Sequence, residues 1–444
     1  MDNTFIAQSY GRSRNYTDIP SKLYKEYNVK KGLRNEDGTG VRMGLTRISD
    51  VVGYDFADGK KVSIDGELYY RGYRINDLVK GKGKSHRGYE ETCFLLLFGY
   101  LPTKAELRQF CDVLAQNYEL PPEFLEMHIL RQPSHNLMNA LQQSVLSLYD
   151  YDMSPDDVDP YRVLLKGMNI MAKLPSLLCY AYQSMVHTYY RDSLFIHYAR
   201  KDYSIAENIL YMLREDRKFT EREANMLDVL LMVHADHGGG NNSTFTSVVI
   251  SSTNTDVYSA IVGSLGSLKG PRHGGANVRC SEMMEAIVKE IGYDADDDQI
   301  REIIHRLLDR DFYDQSGLVY GMGHAVYTKT DPRAEILREY CRELAAEKGR
   351  SRDFDFMVRF EQLAKDEIYK LKGKEITSNV DYYSGFAYEM LEIPRDLVTP
   401  LFAVSRTVGW IAHNIENKLY DGRIMRPATK YVGEATPYIK REDR

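Results

Sequence analysis

The chain has 444 residues, 43% of them hydrophobic and 27% charged, a balance that fits a folded globular protein and excludes a disordered chain or a fibre. Its 58 basic and 64 acidic side chains leave a net charge of −6 with histidine neutral, which argues against a general nucleic-acid binder, normally basic in excess. A prior of roughly 150 residues per domain points to two or three lobes.

The five cysteines, Cys93, Cys111, Cys179, Cys280 and Cys341, are odd in number and form no CxxC pair, so neither a disulfide framework nor a zinc ribbon is indicated and a reducing cytoplasm is expected. No leader is expected, because the first residues carry no apolar run of signal length and include Asp2 and Asp18. The longest apolar run, Phe94 to Phe98, is far short of the roughly 20 residues that span a bilayer, so no membrane partner is expected.

In chain order, residues 1–45 are polar, tyrosine-rich and punctuated by glycine, and read as an arm. Between β-prone runs, the Asp65-Gly66 pair in KVSIDGELYY predicts a hairpin turn and the one notable strand pair. Beyond it, apolar residues at spacings of three and four predict helices over 89–98, 104–116, 136–149, 161–187, 221–234, 256–268, 279–291, 299–309, 333–348, 353–370 and 396–417. Pro175 predicts a kink or break inside the fourth. Ser134, Thr103 with Glu106, and Pro332 mark helix starts. The acidic run Asp294 to Asp298 reads as a solvated connection. The fold class is all-α, and no fixed-period repeat suggests a solenoid.

Four histidines, His234, His237, His273 and His324, sit beside turn-forming glycines or in short polar clusters, each expected where a helix begins or ends and backbone N–H groups face a cleft. In HADHGGGNNSTFT, His234 and His237 share one helical face, and with Asp236 they could ligate zinc, although neither HxHxDH nor HExxH is present. In LKGPRHGGAN, His273 opens a helix, where the positive end of the dipole favours neutral imidazole, a good donor to a developing enolate oxygen. GMGHAVYTKTDPRA combines His324, Lys329 and Arg333, and a guanidinium holds a carboxylate bidentately where a lysine cannot. In SNVDYYSG, Asp381 stands among apolar and aromatic neighbours that would raise its basicity, as a general base needs; as a bland alternative it caps the next helix. Arg406, inside the apolar pattern FAVSRTVGW, must face an anion or a buried carboxylate, and Arg423 and Arg426 follow in RIMRPATKYVG.

Taken in order with YRGYRINDL, FLLLFGYLPT and TPLFAVSRTVGW, these blocks resemble the citrate synthase family from about residue 65 to residue 433. The resemblance implies a two-domain, nearly all-helical homodimer with a small N-terminal hairpin. Its large domain would comprise residues 46–278 and 386–444 and its small domain residues 279–385. It implies an acyltransferase that condenses acetyl-CoA with oxaloacetate, with 2-methylcitrate synthase, acting on propionyl-CoA, the close alternative. A zinc hydrolase built on His234, Asp236 and His237 is the alternative from another class. On the family pattern His273, His324 and Asp381 would be catalytic, while His234, His237, Arg333, Arg406 and Arg426 would bind oxaloacetate, Arg426 reaching in from the partner subunit. Lys329, Lys372 and Lys374 would meet the CoA phosphates, and no cofactor or metal is implied, acetyl-CoA being a substrate. The chain departs from the commoner pattern in having Gly238 after the second histidine and Arg272 before the third.

Overall fold

The structure is a computed structural model; it describes residues 3–58, 60–420 and 422–443, with only the backbone of residues 15 and 16. Residues 1–45 and 425–444 form one compact unit and residues 46–424 another. The smaller unit contains helices α1 (Thr4–Thr17) and α2 (Ser21–Glu26), elements that the arm reading did not foresee. Lys430 lies over the ring of Tyr27, 5.7 Å from its centroid, which joins the two ends of the chain within this unit.

The larger unit opens with a three-stranded antiparallel sheet, β1 (Ser49–Ala57), β2 (Lys60–Tyr70) and β3 (Tyr73–Arg74). The hairpin turn is not at Asp65-Gly66 as the sequence suggested: that pair lies within β2, where the pairing with β1 shifts register between Val52–Glu67 and Tyr54–Ser63, and Ala57 faces Lys60 at the tip. Gly66 serves a close approach instead, because its N–H donates to Thr330 Oγ1 at 2.8 Å and a Cβ there would sit 2.1 Å from Thr330 O.

The rest is helical: α3 (Ile75–Gly81), α4 (Gly88–Phe98), α5 (Lys104–Gln116), α6 (Leu137–Ser147), α7 (Pro160–Met185), α8 (Ile205–Leu213), α9 (Glu221–His234), α10 (Asn242–Ser251), α11 (Val257–Lys269), α12 (Ala276–Ile291), α13 (Asp297–Leu308), α14 (Pro332–Glu347), α15 (Ser351–Lys372), α16 (Val380–Met390) and α17 (Val398–Tyr420). The all-α expectation holds. Local chemistry explains the ends: Thr103 with Glu106, Ser204 with Glu207, Thr220 with Glu223 and Asp296 with Gln299 close reciprocal capping boxes. On α13 the buried Ile300, Ile303, Ile304 and Leu307 form one apolar stripe. Asn136, not Ser134, caps α6, and α7 continues through Pro175 without a break. Part of the acidic run is paired rather than merely solvated, with Asp294 on Arg352 and Asp297 on Arg359.

The core centres on α7 and α17, which pack on each other, with α9 and α10 also against α17 and α6 against α7. Both central helices are buried along most of their length and read as apolar nearly all round. Helices α12 to α16 pack chiefly among themselves, and α14 also reaches α9 and α3. Among the described residues no helix is long and apolar enough to cross a membrane, and all five cysteines are buried and free.

Candidate active site

His234 is the last residue of α9. Its Nδ1 lies 2.7 Å from Leu230 O, one turn back, so Nδ1 carries the proton of the neutral ring. Burial, with Arg333 and Arg406 nearby, pulls its pKa down to about 3. Three residues on, His237 keeps some exposed surface, yet its Nε2 is shut off from solvent with no hydrogen-bond partner. Burial holds its imidazole neutral, and Arg333, His324, Arg406 and His234 reinforce the effect. The ring stands edge-on to His324, with centroids 5.1 Å apart.

His324 lies in the loop between α13 and α14 rather than at a helix end, contrary to the sequence expectation. Gly321 and Gly323, at φ +81° and +92°, take left-handed conformations that side chains rarely adopt, and so bend this loop. The ring stacks on Tyr327 at 4.7 Å, and its Nδ1 accepts from the backbone N–H groups of Val326 and Tyr327, both at 3.1 Å. An accepting Nδ1 leaves the proton on Nε2, so His324 is a neutral Nε2–H donor.

The same loop is laced to the segment before α16. Gly323 N–H donates to Thr377 O (2.7 Å), Asn379 N–H to Gly321 O (2.8 Å) and the Asn379 amide to Gly323 O (2.8 Å). Asn379 is also the residue that caps α16, accepting from the Asp381 N–H at 2.9 Å, so Asp381 is relieved of the capping role the sequence allowed it. Asp381 as a whole is only partly buried, while the protein packed around its carboxyl pushes that group up to about 6. Burial is the largest cause; Arg333 opposes it, Asp331 adds to it and a hydrogen bond from Asn277 opposes it. His273 precedes α12, and its Nε2 is 3.1 Å from Ser243 Oγ. Trp410 Nε1 donates to that same oxygen at 3.2 Å, leaving the hydroxyl proton for His273 or for Asn241 Oδ1 at 2.8 Å. Burial, then Arg406, lowers the pKa of His273 to about 4.

Arg406 is fully buried on α17. Its Nε donates to His234 O at 2.6 Å and its carbon sits 4.6 Å from the centre of the Phe402 ring. Both Nη atoms are buried without a partner. A guanidinium shut from water with its fork unfilled is costly unless an anion completes it. Burial lowers its pKa to about 10, leaving it charged at neutral pH. Arg333, also buried, directs Nε and Nη2 onto Asp331 at 3.0 and 2.7 Å. Together the unpartnered His237 Nε2 and Arg406 Nη1 and Nη2, with Arg333 close by, suit a small anion with more than one carboxylate.

The zinc reading fails on geometry. Asp236 turns its Oδ2 to Ser49, His413 and Gly238 while His234 bonds its own helix, and among the described residues no three metal-ligating side chains gather. Lys329, Lys372 and Lys374 are exposed. Arg426 is also exposed and lies in the smaller unit, whereas every group described above belongs to the larger one. Sequence reasoning missed Ser243, Trp410, Tyr327, Asn277 and Asn379. For Trp410 a signal was present: the chain's one tryptophan stands one helical turn from Arg406.

Residues 36–428 match the family model described as citrate synthase, C-terminal domain. A citrate synthase of Haloferax volcanii is 37% identical over 412 residues, covering 91% of this chain and 96% of its own length. A 2-methylcitrate synthase of Shewanella oneidensis is 30% identical over 373 residues, covering 84% and 90%. Among solved structures, the ternary complex of carboxymethyl coenzyme A and oxaloacetate with citrate synthase from Thermoplasma acidophilum superposes with a TM-score of 0.75 at 25% identity, covering 94% of this chain and 99% of that one. With the helical architecture, the family model over residues 36–428 and the matched length all in agreement, the chain belongs to the citrate synthase family.

Proposed function

We propose that the protein condenses acetyl-CoA with oxaloacetate and hydrolyses the citryl thioester to citrate and CoA. The observation that carries this reading is the buried, unfilled Arg406 fork beside His237, with a carboxyl tuned to about 6 on Asp381. Oxaloacetate is a dianion, and Arg406, Arg333, His237 and His234 would hold it, with Arg426 of a second subunit completing the clamp in a homodimer. Asp381 takes a proton from the acetyl methyl group. His273, when it accepts from Ser243, presents Nδ1–H to the thioester oxygen, and an enol forms without a full negative charge. The enol carbon attacks the ketone of oxaloacetate, and His324 Nε2–H delivers its proton to the ketone oxygen. Water then cleaves the thioester and the CoA thiol leaves.

On this reading residues 279–385 are a small lobe carrying His324, Arg333 and Asp381, which closes on the large lobe that holds His237, His273 and Arg406, so that the acetyl-CoA site is assembled only over bound oxaloacetate. Lys329, Lys372 and Lys374 would meet the CoA phosphates, and the chemistry calls for no cofactor.

The test is oxaloacetate-dependent thiol release from acetyl-CoA and from propionyl-CoA. One methylene is worth about 1–3 kcal/mol in a pocket, so the two substrates should differ measurably. Preference for acetyl-CoA is expected; better turnover of propionyl-CoA would make the protein a 2-methylcitrate synthase, as its Shewanella relative is named. The same assay gives a pH profile. With its carboxyl at about 6, Asp381 is ionised and competent above that pH and protonated below it. The ratio kcat/KM for acetyl-CoA should therefore fall with unit slope as the solution is acidified, to roughly a tenth one pH unit below that value. A profile flat down to the ordinary carboxylate range would remove Asp381 from the base role.

A further inference from the structure

Between the two histidines of HADH stands a carboxylate that the mechanism above does not use. Asp236 is fully buried. Its Oδ2 accepts from the Gly238 N–H at 3.0 Å, closing a short turn around His237, and meets His413 Nε2 of α17 at 3.3 Å and the Ser49 hydroxyl of β1. Ser49 Oγ also takes the Gly238 N–H at 3.1 Å. On the other side of His237, Tyr70 of β2 receives the Asp236 N–H at 3.2 Å and donates to either Asp236 O, at 3.0 Å, or Met232 O, at 3.1 Å. The backbone is thus pinned immediately before and after His237. Oδ1 has no hydrogen-bond partner, and it lies so close to α17 that a Cβ on Gly409 would stand 2.3 Å from it. Asp236 also offsets the charge of Arg406 without hydrogen-bonding its Nη atoms, which stay free for a ligand.

We propose that Asp236, braced by Ser49 of the hairpin and His413 of α17, is a positioning residue that aims His237 Nε2 at oxaloacetate. The proposal rests on the reading of His237 as an oxaloacetate ligand, and its sign separates it from simpler roles. Removing a negative charge beside a dianion site would, by electrostatics alone, tighten binding; loss of a brace weakens it. A merely structural carboxylate would lower thermal stability and leave affinity where it was.

The experiment is calorimetric titration of oxaloacetate into the full-length protein and its variants, with KM and kcat measured alongside. Asp236→Asn is expected to weaken oxaloacetate binding about tenfold, and Ser49→Ala, a milder change that should fold even if the first does not, about threefold. The KM for acetyl-CoA should stay within about twofold in both. Affinity unchanged or tighter in Asp236→Asn, or unchanged in Ser49→Ala when that variant alone folds, overturns the inference while leaving the proposed function intact. Failure of the unmodified protein to bind oxaloacetate overturns both.

Discussion

Replacing Asp381 by asparagine is expected to lower citrate formation by roughly a thousandfold, within the about 10²–10⁴ that a positioned general base contributes, while oxaloacetate binds within about threefold of the unmodified protein. The split follows from where the side chain stands. Asp381 sits at the start of α16, its backbone held by Asn379 and its carboxyl raised to about 6, and it supplies none of the unpartnered donors that face the anion. Asparagine preserves size and can still accept from Asn277, but it cannot take a proton. Thiol release under saturating substrates measures the first effect and calorimetric titration the second. Turnover within tenfold of the unmodified enzyme would assign the base to another group.

Arg406→Leu should show the opposite division. Truncating one member of a buried, charge-assisted hydrogen-bonded pair costs about 2–5 kcal/mol, so oxaloacetate affinity should fall by about thirtyfold to several thousandfold. Thermal stability should change by less, because two effects oppose: leucine removes a buried guanidinium with two unsatisfied nitrogens, yet it also removes the Nε hydrogen bond to His234 O and the charge that offsets Asp236. Thermal unfolding without ligand and titration with oxaloacetate read the two halves separately. A marked loss of stability with affinity retained would make Arg406 a structural ion rather than part of the clamp.

Much of the architecture could be read from local pattern. The eleven helices expected from three- and four-residue spacing are present with ends shifted by a few residues, and Thr103 with Glu106 forms the capping box its spacing suggests. The elements that escaped have physical reasons. Helix α10, NSTFTSVVIS, is rich in Ser, Thr and β-branched residues, which intrinsically disfavour helix, and its place between α11 and α17 overrides that preference. Asp65-Gly66 carries turn chemistry, yet it makes only an irregularity within β2, where the pairing with β1 shifts between Val52–Glu67 and Tyr54–Ser63 and the Gly66 N–H is taken by Thr330.

The sequence by itself determined the helical class, the helix caps and the order of the chemical motifs, because helix spacing and caps depend on interactions within four residues along the chain and the motif order is simply the order of residues. Tertiary structure alone decided what each polar residue of those motifs faces. His234 and Arg406 meet across 172 residues of chain, Ser243 and Trp410 across 167, and Asp236 is drawn to Ser49 and His413 instead of toward a metal. Such pairings are set by which helices pack together and by the demand that each buried charge find a partner, and neither condition leaves a trace in the spacing of residues along the chain.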